Sequence, residues 1–267
     1  MIWEAYKKVK ANKGSAGVDA ISMEEFDTDR SRHLYKLWNR MASGSYFPPP
    51  VKEVEIAKKD GKTRKLGIPT ISDRVGQMAL KIYLEPRFEK IFKPNSYGYR
   101  PNKNAHQALE SVRKNCRKFD WVIDLDIKGF FDNIDHEKLM LAVTKHIPEK
   151  WACMYIKRWL SMPVLQKTGE LREKEGKGTP QGGVISPLLA NLFLHYAFDV
   201  WLTQLPSVVE FARYADDAIV HCKSEAQTKR VLQKIHERMG ECGWNYTKTR
   251  QNLFTVRTIA GKESIQM

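Results

Sequence analysis

The stretch FARYADDAIVHC, from Phe211 to Cys222, places an adjacent acid pair between two apolar segments. The residues on either side of the pair alternate with the period of two that is typical of strands. The pattern predicts a β-hairpin with Asp216 and Asp217 at its turn. Two neighbouring carboxylates repel each other and gain nothing from lying between segments that favour burial. Taken alone, the pair is best explained as a polar turn, because Asp is favoured there.

A second predicted strand, WVIDLDI at 121–127, carries a further acid near its end. Its side chains alternate between two faces, and Asp124 and Asp126 share one of them. Only the fold could bring Asp126 next to Asp216, which lies far along the chain. A carboxylate cluster on a sheet needs either a protonated member or a divalent cation to cancel its charge. Oxygen ligands suit Mg²⁺, so two-metal phosphoryl transfer is one hypothesis for these acids.

The charge balance points to a polyanionic partner. The 267 residues carry 45 Lys and Arg against 31 Asp and Glu, a formal net charge of +14. We favour nucleic acid over a basic surface that serves only solubility, and we expect no membrane partner. The 42% hydrophobic content is enough for a real core, in one large domain or two small ones.

Targeting signals and metal-binding cysteines are not evident in the sequence. The amino terminus lacks the layout of a secretory signal, and no apolar run reaches the ~18 residues of a membrane helix. The four cysteines form no CxxC pair, which favours reduced, packed thiols. We therefore expect a cytoplasmic, intracellular protein.

Helices and hairpins alternate along the chain, which predicts an α+β fold with helices packed on an antiparallel sheet. Ser72 is the predicted cap of a long amphipathic helix, and a second helix is predicted over 105–112. A third begins after Ser224 and stops at Gly243. The segments VEI and LGI, on either side of KKDGK, predict a hairpin with a basic tip.

Several ordered segments together resemble the reverse transcriptase family, and most of all its group II intron-encoded, maturase-type branch. The resemblance extends from about Lys10 to Lys248, nearly the whole chain. The matching segments are RYADD, DIKGFFDNIDH, GTPQGGVISPLLANLFL, GKTRKLGIPTISDRVGQMAL, NSYGYRPNKNAHQAL and NKGSAGVDAIS.

The resemblance implies the fingers and palm of a right-hand polymerase, with an antiparallel palm sheet packed with helices. Residues 1–115 would be mainly fingers, including an amino-terminal extension segment. Residues 116–267 would be mainly palm, with a portion around 146–180 that returns to the fingers. The thumb, maturase and nuclease regions of the family would be absent from the chain, so we expect weak or no activity from it alone.

The resemblance also implies a catalytic site. Asp126 and Asp216 match the principal metal ligands, Asp217 matches the third acid, and the Ile127 carbonyl would complete one ion's shell. The cofactor would be two Mg²⁺ ions, for which Mn²⁺ could substitute. They would promote attack of a primer 3′-hydroxyl on the α-phosphate of a deoxynucleotide.

Further positions match nucleotide-binding and template-binding residues of the family. Phe131 would abut the sugar and disfavour a 2′-hydroxyl, and Gln181 would lie against the nucleotide. The remaining nucleotide-binding candidates are Lys58, Arg64 and Lys248. Candidates for template or RNA contact are Arg74, Arg100, Lys62 and Lys65, with structural ion pairs (for the two arginines) or a solvated basic turn (for the two lysines) as the alternatives.

The implied function is RNA-templated DNA synthesis by a group II intron-encoded protein. Its partners would be an RNA template, intron RNA, a DNA or RNA primer and dNTP substrates. The alternative is a maturase fragment that binds intron RNA as a splicing cofactor without polymerase activity of its own. The complete set of three acids favours the polymerase. A homodimer is a further hypothesis. The sequence does not say which genetic element encodes the chain: a mobile intron, a retron-like or defence-associated system, or a domesticated gene.

Overall fold

The computed structural model describes residues 1–57, 61, 63–127, 129–206 and 209–244, together with the backbone of 254–258. The helices are α1 (Ile2–Ala11), α2 (Met23–Thr28), α3 (Arg30–Ala42), α4 (Ile71–Glu89), α5 (Ala105–Asn115), α6 (Phe130–Asn133), α7 (His136–His146), α8 (Lys150–Leu160), α9 (Ser186–Leu194), a π-helical turn (His195–Asp199), α10 (Val200–Thr203) and α11 (Glu225–Glu241). The strands are β1 (Val51–Ala57), β2 (Thr63–Ile68), β3 (Trp121–Asp126), β4 (Val164–Leu165), β5 (Leu171–Arg172), β6 (Glu210–Tyr214), β7 (Asp217–Cys222) and β8 (Phe254–Thr258).

The first sheet has the strand order β2-β1-β4-β5. Strands β1 and β2 form the predicted antiparallel hairpin. Strand β4 returns from much later in the chain and pairs in parallel with β1, with Val51 opposite Val164. Glu53 on β1 is buried, and its carboxylate accepts from Lys65 on β2 and Arg172 on β5, so one acid ties three strands together.

The second sheet has the order β6-β7-β3-β8, and all of its neighbouring strands are antiparallel. The alternation predicted for β3 is present, since Ile123 and Leu125 are buried and Asp126 is exposed. Helix α11 buries one face, formed by Val231, Leu232, Ile235 and Met239. Two largely antiparallel sheets packed with helices confirm the predicted α+β class.

The predicted helices are present, and one begins earlier than expected. Helix α4 starts at Ile71 and is capped by Thr70, whose hydroxyl accepts from the Asp73 amide, so the prediction of Ser72 as cap is wrong. The reason is tertiary, because Ile71 is fully buried and the Asp73 carboxylate accepts from Trp159. Helix α11 begins after Ser224, as predicted.

None of the helices in the described ranges combines the length and the apolar composition that crossing a bilayer requires.

Candidate active site

The acid pair lies at the turn that joins β6 to β7. Tyr214 and Asp217 form the last cross-strand pair, which leaves Ala215 and Asp216 as a two-residue turn. Ala215 has φ +58°, in the left-handed region that tight hairpin turns require. Asp216 therefore lies at the tip of the hairpin, and Asp217 is the first residue of β7.

Asp126 lies directly opposite Asp217 in the register of β3 and β7. Directly opposite residues project from the same face of a sheet, with their Cβ atoms about 4.5–5.5 Å apart. Asp124, two positions earlier on β3, faces the same side. The fold thus brings the three predicted acids together, at one end of the second sheet.

The acids are electrostatically coupled. Burial raises the pKa of Asp216, and Asp126 raises it further, while Arg64 and Arg213 act in the opposite direction. Burial also raises the pKa of Asp217, followed by the charges of Asp216, Asp126 and Asp124. Because like charges at short range disfavour ionisation, added positive charge would stabilise the ionised acids.

The donor set fits a hard divalent cation that keeps much of its shell open. Within the described ranges, no group of three or more His, Cys, Asp or Glu side chains forms a ready metal cage. Mg²⁺ usually takes one or two carboxylates and fills its other positions with water and substrate phosphates. The neighbouring carboxylates of Asp126 and Asp217, with Asp216 in the adjoining turn, are donors of the type that Mg²⁺ takes.

Arg213 stabilises the β6–β7 turn through hydrogen bonds of its buried side chain. The sequence pattern did not predict this role. Its side chain is fully buried and each of its five N–H donors has an acceptor. Two of them bind Asp199 at 2.8 and 2.7 Å, in the bidentate manner. The others donate to Asn191, to Ser96 and, at 2.8 Å, to the carbonyl of Ala215 in the turn.

Gln181 and Arg64, two predicted nucleotide-binding residues, contact each other. Arg64 Nε donates to the side-chain oxygen of Gln181 at 2.7 Å, and Gln181 Nε2 donates to Asp132 at 2.9 Å. The Gln181 carbonyl also accepts from the Gly67 amide on β2. Gly182 has φ +112°, and a Cβ there would lie 2.5 Å from the Gly67 carbonyl, so only glycine permits this approach.

Phe131, the predicted sugar-facing ring, is 8% exposed. Its ring packs against Phe130 at 5.4 Å and edge-to-face against Tyr99 at 6.3 Å. Phe130 belongs to the core, as expected, and packs on Trp244. The sequence did not predict a role for Tyr99. The feature that could have indicated one is its position in the segment NSYGYRPNK.

Three of the predicted cations lie outside the described residues: Lys58, Lys62 and Lys248. The described template candidates all bind protein groups. Arg74 is buried and donates to the Ser15 carbonyl, and burial lowers its pKa. Arg100 pairs with Glu89 at 2.8 Å, and only 6% of its side chain is exposed. Lys65 pairs with Glu53 at 3.0 Å.

The contacts of Arg100 favour its structural alternative over template contact, because its guanidinium pairs with Glu89 and donates to the carbonyls of Lys93 and Ser96. Arg74 forms no ion pair within the described ranges, and its buried Nε has no hydrogen-bond partner there, so template contact by Arg74 stays a prediction. Lys65 is half-exposed, so it keeps part of its ammonium group open to solvent.

A family model described as "Reverse transcriptase (RNA-dependent DNA polymerase)" matches residues 56–259. The chain belongs to the reverse transcriptase family. Membership of this family implies a general dependence on divalent metal ions.

Similar proteins place this reverse transcriptase in the group II intron branch. The "Group II intron-encoded protein LtrA" of Lactococcus lactis subsp. cremoris is 34% identical over 240 residues, covering 89% of this chain and 39% of that protein. "Protein YkfC" of Escherichia coli (strain K12) is 35% identical over 206 residues, covering 74% of this chain and 53% of that one. The predicted branch is confirmed, and the matches do not favour a splicing cofactor without polymerase activity.

A solved structure shows the same fold. The telomerase from Candida albicans, in complex with a fragment of telomeric RNA, superposes with a TM-score of 0.62 at 11% identity, covering 90% of this chain and 46% of that one. At that identity the likeness concerns the fold alone, and it confirms a fingers–palm architecture. The chain spans 39% and 53% of the lengths of the two relatives above.

Proposed function

We propose that the chain supplies the polymerase centre of an RNA-templated DNA polymerase encoded by a group II intron. The reaction is transfer of a deoxynucleotide from a dNTP to the 3′-hydroxyl of a DNA or RNA primer. The observation that carries the proposal is the pairing of Asp126 with Asp217, with Asp216 in the adjoining turn. A sheet has no structural reason to place three carboxylates side by side.

Asp126 and Asp216 are the proposed ligands of two Mg²⁺ ions, assisted by Asp217 and by the Ile127 carbonyl. Such ions, when bound, activate the attacking hydroxyl and neutralise charge on the phosphates. Arg213 keeps the Asp216 turn in place through the Ala215 carbonyl. A fixed turn spares reorganisation during the reaction.

The nucleotide would lie between the acids and the β1–β2 hairpin. Arg64 offers a guanidinium to the triphosphate, with Lys58 and Lys248 as further cations. Gln181 forms a polar wall of this pocket, and hydrogen bonds to Arg64 and Asp132 fix its side chain. Phe131 forms the apolar wall against C2′, where a 2′-hydroxyl would find no partner.

Residues 1–115 are proposed to form mainly fingers, and 116–267 mainly palm, with 146–180 returning to the fingers. The parallel pairing of β4 with β1 supports this division, because it attaches part of the later segment to the first sheet. An RNA template and intron RNA are the proposed partners, in agreement with the net charge of +14. A homodimer would appear in light scattering as twice the mass of the chain.

Mg²⁺-dependent primer extension on an RNA template tests the proposal, in the longest reading frame that contains the chain. Asp216→Asn should lower the rate by about 100-fold or more, since a lost charge-stabilising group typically costs that much. Asp120→Asn, an exposed acid just before β3, is the matched control and should extend as the parent does. Primer extension by Asp216→Asn at the parental rate would refute the proposal.

Binding to intron RNA separates chemistry from affinity in the same variant. Phosphate contacts depend on Lys and Arg and weaken steeply with salt. Asp216→Asn should therefore keep the RNA affinity and salt dependence of the parent, as measured by filter binding.

A further inference from the structure

The segment Asn95–Tyr99 is fastened against the catalytic hairpin. The Arg213 amide donates to the Asn95 carbonyl at 2.9 Å, and the Tyr97 amide donates to the Arg213 carbonyl at 2.8 Å. These bonds attach the segment to the free edge of β6. At Gly98, a Cβ would lie 2.3 Å from the Ala215 nitrogen, so the backbones are in direct contact. Tyr99 follows immediately and is therefore placed by the turn that carries Asp216.

The backbone of Tyr99 adopts an unusual conformation. Its φ is +58°, in the left-handed region that bulky residues rarely occupy. Such conformations persist where the surroundings over-determine them, and they cluster at functional sites. The Asn191 side chain contributes here by donating to the Gly98 carbonyl at 2.7 Å. The fold thus holds Tyr99 in a conformation that it would not adopt by itself.

The ring of Tyr99 is neither core nor free surface. It is 46% exposed, and its ring meets that of Phe131 edge-to-face, at 6.3 Å and an interplanar angle of 73°. Phe131 rests on Phe130 with a second edge-to-face contact. Burial raises the pKa of Tyr99, and the charge of Asp216 raises it further. Phe131 therefore has one aromatic support in the core and a second that borders the candidate site.

We propose that Tyr99 is a positioning residue for sugar specificity, which supports the Phe131 ring as a wall against a 2′-hydroxyl. The inference rests on the proposed function, since it takes Phe131 as the wall of the nucleotide pocket. An apolar wall rejects a hydroxyl by steric conflict only if the wall cannot move aside. Phe130 supports Phe131 from the core, and Tyr99 limits its movement at the exposed end. Without the Tyr99 ring, Phe131 gains room to yield to a ribonucleotide.

The test compares dATP with ATP, which differ only at C2′, in single-nucleotide extension by the parent, Tyr99→Phe and Tyr99→Ala. The measured quantity is the ratio of kcat/KM for dATP to that for ATP. Tyr99→Ala should lower this ratio by about 3- to 10-fold, the size expected for loss of one edge-to-face contact. Tyr99→Phe keeps the ring and should keep the parental ratio. Tyr35→Ala removes a 66% exposed ring on α3 and is the control for surface truncation.

Equal loss of activity towards both nucleotides in Tyr99→Ala would indicate a merely structural role and would overturn the inference. An unchanged ratio would also overturn it. If the parent does not extend primers, the proposed function fails, and the inference is judged by equilibrium binding instead. The ratio of Kd values for dATP and ATP is then measured on a dideoxy-terminated primer–template. A ratio that Tyr99→Ala leaves unchanged, or a parent that binds neither nucleotide, overturns the inference there.

Discussion

Asp199→Asn is expected to destabilise the protein strongly, because it removes the only charge that the structure pairs with buried Arg213 in the described chain. Both side chains are fully buried, and two hydrogen bonds of 2.7 and 2.8 Å join them. Breaking a buried pair from one side costs about 3–5 kcal/mol, since the other charge is left without compensation. For a domain of this size, that loss lowers Tm by roughly 6–20 °C.

Urea denaturation followed by circular dichroism, together with a thermal scan, measures the effect of Asp199→Asn. The matched control is Glu110→Gln, which removes a carboxylate from the exposed Arg113–Glu110 pair, also at 2.8 Å. Solvent screens that pair, so the urea midpoint of the control should stay at the parental value. A loss below about 1 kcal/mol in Asp199→Asn would refute the reasoning, because that is the ordinary cost of an arbitrary substitution.

Three further substitutions test backbone packing and the pH dependence of stability. Gly98→Ala places a Cβ 2.3 Å from the Ala215 nitrogen and should lower the free energy of unfolding by about 1–3 kcal/mol. Gly240→Ala on α11 meets nothing within 4 Å and should instead raise it, by up to about 1 kcal/mol, in the same urea titration; equal effects would contradict the packing. Burial lowers the pKa of His195 from 6.5 to about 4, so the unfolded chain binds the extra proton and stability should fall as pH drops from 6.5 to 4. His195→Phe should reduce this loss in the free energy of unfolding by at most about 3 kcal/mol relative to the parent. A variant with the parental dependence of stability on pH would contradict the lowered pKa of His195.

Local patterns were sufficient to predict several elements. The hairpin around Asp216 and the alternation in β3 follow from residue types a few positions apart. Helix α11 begins after Ser224 because its hydroxyl accepts from the Gln227 amide, a purely local bond. The start of α4 was misplaced, because Thr70 and Ser72 are both good caps. The choice between them depends on contacts made far along the chain.

The site itself was only partly predictable. The residue types of the acids were visible, but the register of Asp126 against Asp217 depends on pairing between distant strands. Arg213 appeared as a polar residue in a strand, and its partners come from separate segments of the chain. The left-handed φ of Tyr99 could not be inferred either, because a non-glycine residue reaches that region through tertiary contacts.

The pairing of β4 with β1 has a consequence for biosynthesis. The partner of Val51 in β4, Val164, lies roughly 110 residues further along the chain. Contacts of such high sequence separation form slowly during folding. At translation rates of about 5–20 residues per second, the edge of β1 emerges about 6–23 s before β4. During that interval its backbone donors and acceptors are open to pairing with other chains. The charged residues on the exposed positions of β1 and β2 would act as gatekeepers against such association while the ribosome completes the sheet.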